Sequence, residues 1–149
     1  MSQDEDAAVF RQAVRYWSDG NFEGVLSLIA DDIVHNVNID ALGIPYVQSA
    51  EGKPAVAARL NLIAETFIVD AFVVDAFFLE EDEVRATVLG YHTHRKTRER
   101  LDIKLRFRIR VRDGQIVRLD EFLDAAYLDA FERFVKYLEQ TALEAGEKP

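Results

Sequence analysis

Arg100 to Asp124 reads RLDIKLRFRIRVRDGQIVRLDEFLD, and this stretch decides the fold. Leu101, Ile103, Leu105, Phe107, Ile109 and Val111 alternate with Asp102, Lys104, Arg106, Arg108 and Arg110, so one face of a long strand lies on a core. Asp113-Gly114 turns the chain, and Gln115 to Leu123 returns as a second strand that runs into a helix. Two registers compete at this turn. A two-residue turn with strict pairing sets Arg112 against Gln115 and places Arg106, Arg108 and Arg110 beside Glu121, Leu119 and Val117, three arginines in an apolar row. A three-residue loop, Arg112-Asp113-Gly114 with Gly114 at positive φ, pairs Val111 with Gln115, Ile109 with Val117, Phe107 with Leu119, Leu105 with Glu121 and Ile103 with Leu123. It keeps both strands apolar on one face and is the expected register. Glu121 then points inward, between Leu119 and Leu123.

Upstream, Phe10, Val14 and Trp17 recur at helical spacing with Ala13 beside them, and Ser18-Asp19-Gly20-Asn21 breaks the helix. Asn21 can cap a short second helix with Phe22, Val25, Leu26 and Ile29 on one face. From Asp32 the period changes to two, with Ile33, His35, Val37 and Ile39 alternating with polar or outer positions. Asp40 to Gly52 reads as a loop. Pro54 suits the first turn of a third helix lined by Val56, Leu60, Ile63 and Phe67. Ile68 to Leu79 is strand-like, Glu80-Glu81-Asp82 is a polar turn, and Glu83 to about His94 puts Val84, Ala86, Val88, Gly90 and His92 on one face. A last helix spans about Ala125 to Leu143. Three helices, a meander and a helix make one α+β domain over residues 1-149, its antiparallel sheet bent around the helices.

Composition limits the function. Eighteen basic against twenty-seven acidic residues give a net charge of -9, which disfavours nucleic acid and anionic membranes as partners. Cysteine is absent, which excludes disulfides, thiolate metal sites and a cysteine nucleophile. No signal-like segment and no apolar run of membrane-spanning length is present, so a cytoplasmic location is expected. Dinucleotide, P-loop, serine-hydrolase and HExxH motifs are absent, and neither a cofactor nor a metal is expected.

The helical hairpin ending near Trp17, Ala30-Asp31-Asp32 before a strand, Gly52-Lys53-Pro54 before the third helix, Val111-Arg112-Asp113-Gly114-Gln115-Ile116 and Glu121-Phe122-Leu123-Asp124 resemble the nuclear transport factor 2-like superfamily, more narrowly its SnoaL-like, ketosteroid isomerase-related members. The resemblance implies a cone-shaped curved sheet with a pocket between its concave face and the helices, often in homodimers. It implies no single activity, because the scaffold hosts isomerases, cyclases, hydrolases and non-catalytic modules. A catalytic aspartate of the limonene epoxide hydrolase branch is matched in place by Glu121. The ketosteroid isomerases' strand aspartate falls on Val37 and their oxyanion tyrosine on Ala13, while the hydrolase Arg and Asp pair falls on Val88 and Gly90. Those two machineries are therefore not expected here. Asp124, nearest to the acid-base aspartate of SnoaL-type cyclases, is expected to cap the final helix instead.

A carboxylate on an apolar row must either find a donor or give up its charge, so Glu121 is the candidate acid or base. Its alternative role is only to satisfy a Tyr, His or Arg inside the cone. His35 should face inward at similar depth, either assisting Glu121 or serving as a satisfied core histidine. His92 and His94 share a strand face at a spacing that can hold a metal with Glu121 as third ligand, but His94 borders a charged turn and is expected in water. Trp17, Tyr16, Tyr46, Val37, Val88 and Leu119 complete the expected lining with His92. The ligand is expected to be a small apolar molecule. The outer face, where Arg106, Arg108, Arg110 and Arg118 meet Asp120 and Phe122, suits a homodimer better than phosphate. The competing class is a non-catalytic binding or association module.

Overall fold

The computed structural model describes residues 2–80 and 83–146. Its elements are α1 (Gln3–Ser18), α2 (Phe22–Ser27), β1 (Ile29–Val37), β2 (Ala50–Glu51), α3 (Lys53–Thr66), β3 (Phe67–Glu80), β4 (Glu83–His94), β5 (Arg100–Arg112), β6 (Gln115–Phe122) and α4 (Ala125–Glu144). Asn21 Oδ1 accepts from Gly24 N at 2.9 Å and so caps α2. Asp124 Oδ1 caps α4 in the same way, accepting from Tyr127 N at 3.1 Å. Ile29 opens β1 rather than closing α2, and Asp40 to Gly52 contains a 3-10 turn and the short edge strand β2. Of the expected turn at Glu80-Glu81-Asp82, Glu81 and Asp82 lie outside the described residues.

The sheet order is β2-β1-β6-β5-β4-β3. β3 to β6 form the expected antiparallel meander, but β1 joins β6 in parallel, so the whole sheet is mixed. The pairing of β3 with β4 skips at Asp70 and Asp75, and such bulges bend a strand and increase its twist. That curvature wraps the sheet around α1 and α3. The inner face of β4 and β5, from Val84 to His94 and from Leu101 to Ile109, is buried at every second residue. With Phe10, Val14 and Trp17 of α1 it makes the core.

The hairpin register differs from the expected one. Asp113 (φ 52) and Gly114 (φ 75) are both left-handed, which is the requirement of a two-residue mirror-image turn, and Arg112 faces Gln115. Val111 then pairs with Ile116 and Arg110 with Arg118, leaving Val117 over as a bulge. Beyond it Ile109 meets Leu119, Phe107 meets Glu121 and Arg106 meets Phe122. Each expected pairing is therefore displaced, with Glu121 opposite Phe107 instead of Leu105. Between the turn and the bulge the inner position passes to Ile116, which is buried where Gln115 and Val117 were expected, and beyond the bulge the expected faces survive, because the bulge supplies the odd residue that the longer loop was expected to supply. Arg106, Arg108 and Arg110 stay outside and exposed, and Leu119 and Glu121 stay inside.

Candidate functional site

The parallel pairing of β1 with β6 sets His35 beside Leu119 and Val37 beside Glu121. Side chains then hold this seam in place. Asn38 Nδ2 donates to the Leu123 carbonyl at 3.1 Å and its Oδ1 accepts from Leu123 N at 2.8 Å, continuing the ladder past the end of β1. Asn36 Nδ2 donates to Asp120 at 3.0 Å on the outer side. Ser49 Oγ accepts from Val37 N at 2.9 Å and donates to Asp40 at 2.5 Å, fixing the inner edge of β1.

On this frame His35 Nε2 lies 2.8 Å from Glu121 Oε1, with the two side chains 12% and 13% exposed. Glu121 thus finds the donor that its burial demands. A carboxylate only accepts, so Nε2 carries the hydrogen, and a neutral ring in this orientation has its lone pair on Nδ1. Among the described residues, the side-chain N and O atoms both sealed and unpartnered are Asp6 Oδ1 and Arg59 Nε. His35 Nδ1 and Glu121 Oε2 have no partner among the described residues either, so both retain accessible surface, and their side chains line the cavity.

That cavity measures about 160 Å³. Its wall is apolar and aromatic, with Phe10, Trp17, Phe67, Phe72 and Phe107 around it, Leu60 and Ile63 from α3 on one side, and Leu128 of α4 over it. Among the described residues, Glu121 is the one carboxylate in the lining, and no lysine or arginine joins it. Tyr46 donates to Glu132 of α4; burial, then this carboxylate, push the phenol well above its ordinary range and keep it protonated. His92 Nδ1 is 3.2 Å from the Leu101 carbonyl, and burial pushes its imidazole down against the opposing pull of that carbonyl and of Asp70, Asp102 and Glu121.

Of the residues expected from sequence, His35, Glu121, His92, Trp17, Tyr46 and Leu119 meet in the lining. Tyr16, Val37 and Val88 do not. Tyr16 packs across Gly24 in the α1–α2 hairpin, where a Cβ on Gly24 would stand 2.6 Å from its ring. Val37 and Val88 point inward but are covered, Val88 completely. His94 is not in water: it is 5% exposed, its ring packs edge-on against Phe67 and Phe131, and Nδ1 meets Thr97 Oγ1 at 2.8 Å. Glu132 was missed, although it stands four residues after Leu128 in the buried stripe of α4, and a carboxylate there needs a partner such as Tyr46.

On the outer face, Arg118 pairs with Asp120 at 3.1 Å and Arg108 with Glu83 at 3.7 Å, while the Arg108 guanidinium also lies 5.5 Å over the Phe122 ring. Burial raises the Asp120 carboxyl, but hydrogen bonds from Arg118 and Asn36 outweigh it and hold it below its ordinary range. The basic row is thus partly neutralised and interrupted by an aromatic ring. No helix of the described residues is long and apolar enough to cross a membrane.

The profile of the SnoaL-like domain matches residues 10–119. No curated protein matches the chain. Among solved structures, a candidate isomerase from Bacillus subtilis superposes with a TM-score of 0.76 at 18% identity, over 85% of this chain and 92% of that one. A nuclear transport factor 2-like protein from Burkholderia xenovorans gives 0.70 at 20% identity, over 86% and 95%. A candidate polyketide cyclase from Xanthomonas campestris gives 0.68 at 15% identity, over 86% and 96%. At such identities the likeness is one of fold.

Proposed function

The chain belongs to the SnoaL-like domain family, and from that premise we propose that it binds a small, largely apolar molecule in its cone and acts on it with His35 and Glu121 as an acid-base pair. The reaction class is that of a cofactor-free isomerase, cyclase or hydrolase. One observation carries this reading: a hydrogen-bonded imidazole and carboxylate, each with an unpartnered atom, sit in the wall of an otherwise apolar cavity. In the proposed step Nδ1 of His35 takes a proton from the substrate, and Glu121 orients the ring and stabilises the imidazolium that forms. Delivery of the proton to another atom of the same molecule returns the pair to its starting state. Cavity size bounds the substrate. A dry cavity of about 150 Å³ holds benzene, and drug-sized ligands take about 300–1,000 Å³, so 160 Å³ suits one ring.

The test is a thermal-shift screen of terpene, steroid and polyketide fragments against wild type and Glu121→Gln, followed by solvent-deuterium exchange into any fragment that binds. Small fragments should stabilise both proteins, and exchange should be at least about a hundredfold slower in the variant, as expected for loss of the carboxylate that orients the proton-carrying imidazole and stabilises its charge. If no fragment class shifts the melting temperature, the non-catalytic reading replaces this one. A homodimer through the outer face is a separate proposal, supported by the exposure of Val73, Phe78 and Phe122 there. A monomer in analytical ultracentrifugation at high concentration would refute it.

A further inference from the structure

The proposed chemistry makes no use of His92, a buried polar group of the cone. His92 is 7% exposed, lines the cavity, and packs edge-on against Phe67 and Phe72 with ring centroids 5.7 and 6.1 Å away. Its Nδ1 faces the Leu101 carbonyl, which can only accept, so the hydrogen of the neutral ring sits on Nδ1 and Nε2 is left as an acceptor. Nε2 has no partner among the described residues and is not among the sealed, unpartnered atoms, so it keeps accessible surface; on an inner-face side chain that surface belongs to the cavity. Its setting is also prearranged. Gly90, two residues before it on the same face, has no room for a side chain, since a Cβ there would stand 2.7 Å from His92 Cε1, 3.0 Å from Phe72 Cε1 and 3.2 Å from Leu105 Cδ1.

A buried acceptor without a donor is costly, and a ligand that brings a donor recovers that cost while one that lacks it does not. We infer that His92 is the specificity-determining residue of the cone, its Nε2 accepting a hydrogen bond from a hydroxyl of the ligand, and that the ligand class is a neutral, single-ring alcohol or phenol. This rests on the reading of the cone as a small-molecule site, but not on the chemistry assigned to His35 and Glu121. Burial supports it by holding the imidazole neutral. With Glu121 in the lining and no lysine or arginine there among the described residues, an anionic ring is disfavoured.

The experiment uses phenol, toluene and benzoate as probes, with dissociation constants measured by calorimetry or ligand-observed NMR. Wild type should bind phenol about three- to tenfold more tightly than toluene, the worth of one net hydrogen bond, and should bind benzoate more weakly than either. In His92→Leu the preference should fall to about one while toluene still binds, which shows that the cavity survives. His92→Gln, whose amide oxygen can accept, should retain part of the preference. Acidification below the point where His92 takes a proton should abolish the preference in wild type and leave His92→Leu unchanged. A preference that persists in His92→Leu, or that disappears in Glu121→Gln alone, overturns the inference. Failure of the acid-base reading looks different: proton exchange is equal in wild type and Glu121→Gln, with the phenol preference intact.

Discussion

Replacing His35 with Leu removes the donor 2.8 Å from Glu121 and leaves a carboxylate 13% exposed. The hydrogen bond to the charged group is worth about 1.5–3 kcal/mol, and breaking a buried pair from one side costs about 3–5 kcal/mol once the stranded charge is counted. Some water still reaches both groups, so the low end applies, about 3 kcal/mol for His35→Leu. Glu121→Leu should cost less, about 1 kcal/mol, the worth of one net hydrogen bond. The double Leu substitution removes both polar groups and should lie within about 1 kcal/mol of wild type, since well-packed apolar replacements of buried pairs are often neutral. The coupling in the cycle is then about 3 kcal/mol. Urea unfolding of the four proteins at one neutral pH, with unchanged slopes, measures it. Additivity within about 0.5 kcal/mol would refute the buried, coupled pair on which the proposed chemistry depends. A double variant as stable as wild type would mean that the pair does not hold the fold together.

Three further outcomes are expected. Deleting Val117 removes the residue left over in the hairpin, so Glu121 should stay inward and the protein should remain folded at a cost of about 1–2 kcal/mol, whereas inserting one Ala after Val117 should be worse; circular dichroism and urea midpoints decide, and an unfolded deletion protein rejects the parity argument. Gly90→Ala forces its methyl against His92 and Phe72 and should lower stability by about 1–3 kcal/mol, so an unchanged thermal midpoint contradicts the close approach. Burial depresses both His92 and His94, so the unfolded chain binds their protons more readily. Their contribution is complete above about pH 6.5 and is lost as pH falls below it; a urea midpoint that stays flat from pH 7.5 to 5 would show that the two rings are not held neutral.

The faces of the strands were legible because a period of two is a property of the sequence itself. Leu101 to Ile109 could be assigned inward without knowing their partners, and Glu121 stood out as the one carboxylate in the returning row. The register was not legible. A three-residue loop and a two-residue turn with a bulge at Val117 shift parity by the same single residue, and the apolar pattern reports only parity. Asp113 accepts a positive φ that most side chains resist, and Asp-Gly is a strong signal for the two-residue turn, but the turn by itself does not say that a bulge follows or where it falls. The parallel joining of β1 to β6 left no local trace, since pairing direction depends on where α2 and α3 carry the chain.

The same distinction explains the site. Alternation says that a side chain points into the cone, but not how deep it lies or what covers it, so Val37 and Val88 were indistinguishable in sequence from Leu119 and His92. Depth is set by the helices, and Leu60 and Ile63 of α3 and Leu128 of α4 join the lining only because those helices cross the sheet at this level. Apolar positions on a helix are generic, and nothing marks the few that face a void instead of a neighbour. Polar residues on apolar stripes carry more information, because each must be satisfied. Glu121 with His35 and Tyr46 with Glu132 are two such pairs, and each joins elements far apart in sequence. His92 is the informative exception, with one nitrogen satisfied by its own sheet and the other facing the cavity without a partner. In a cone this apolar, an unsatisfied acceptor held in place by Gly90 and two aromatic rings is where a ligand's own polarity has to fit.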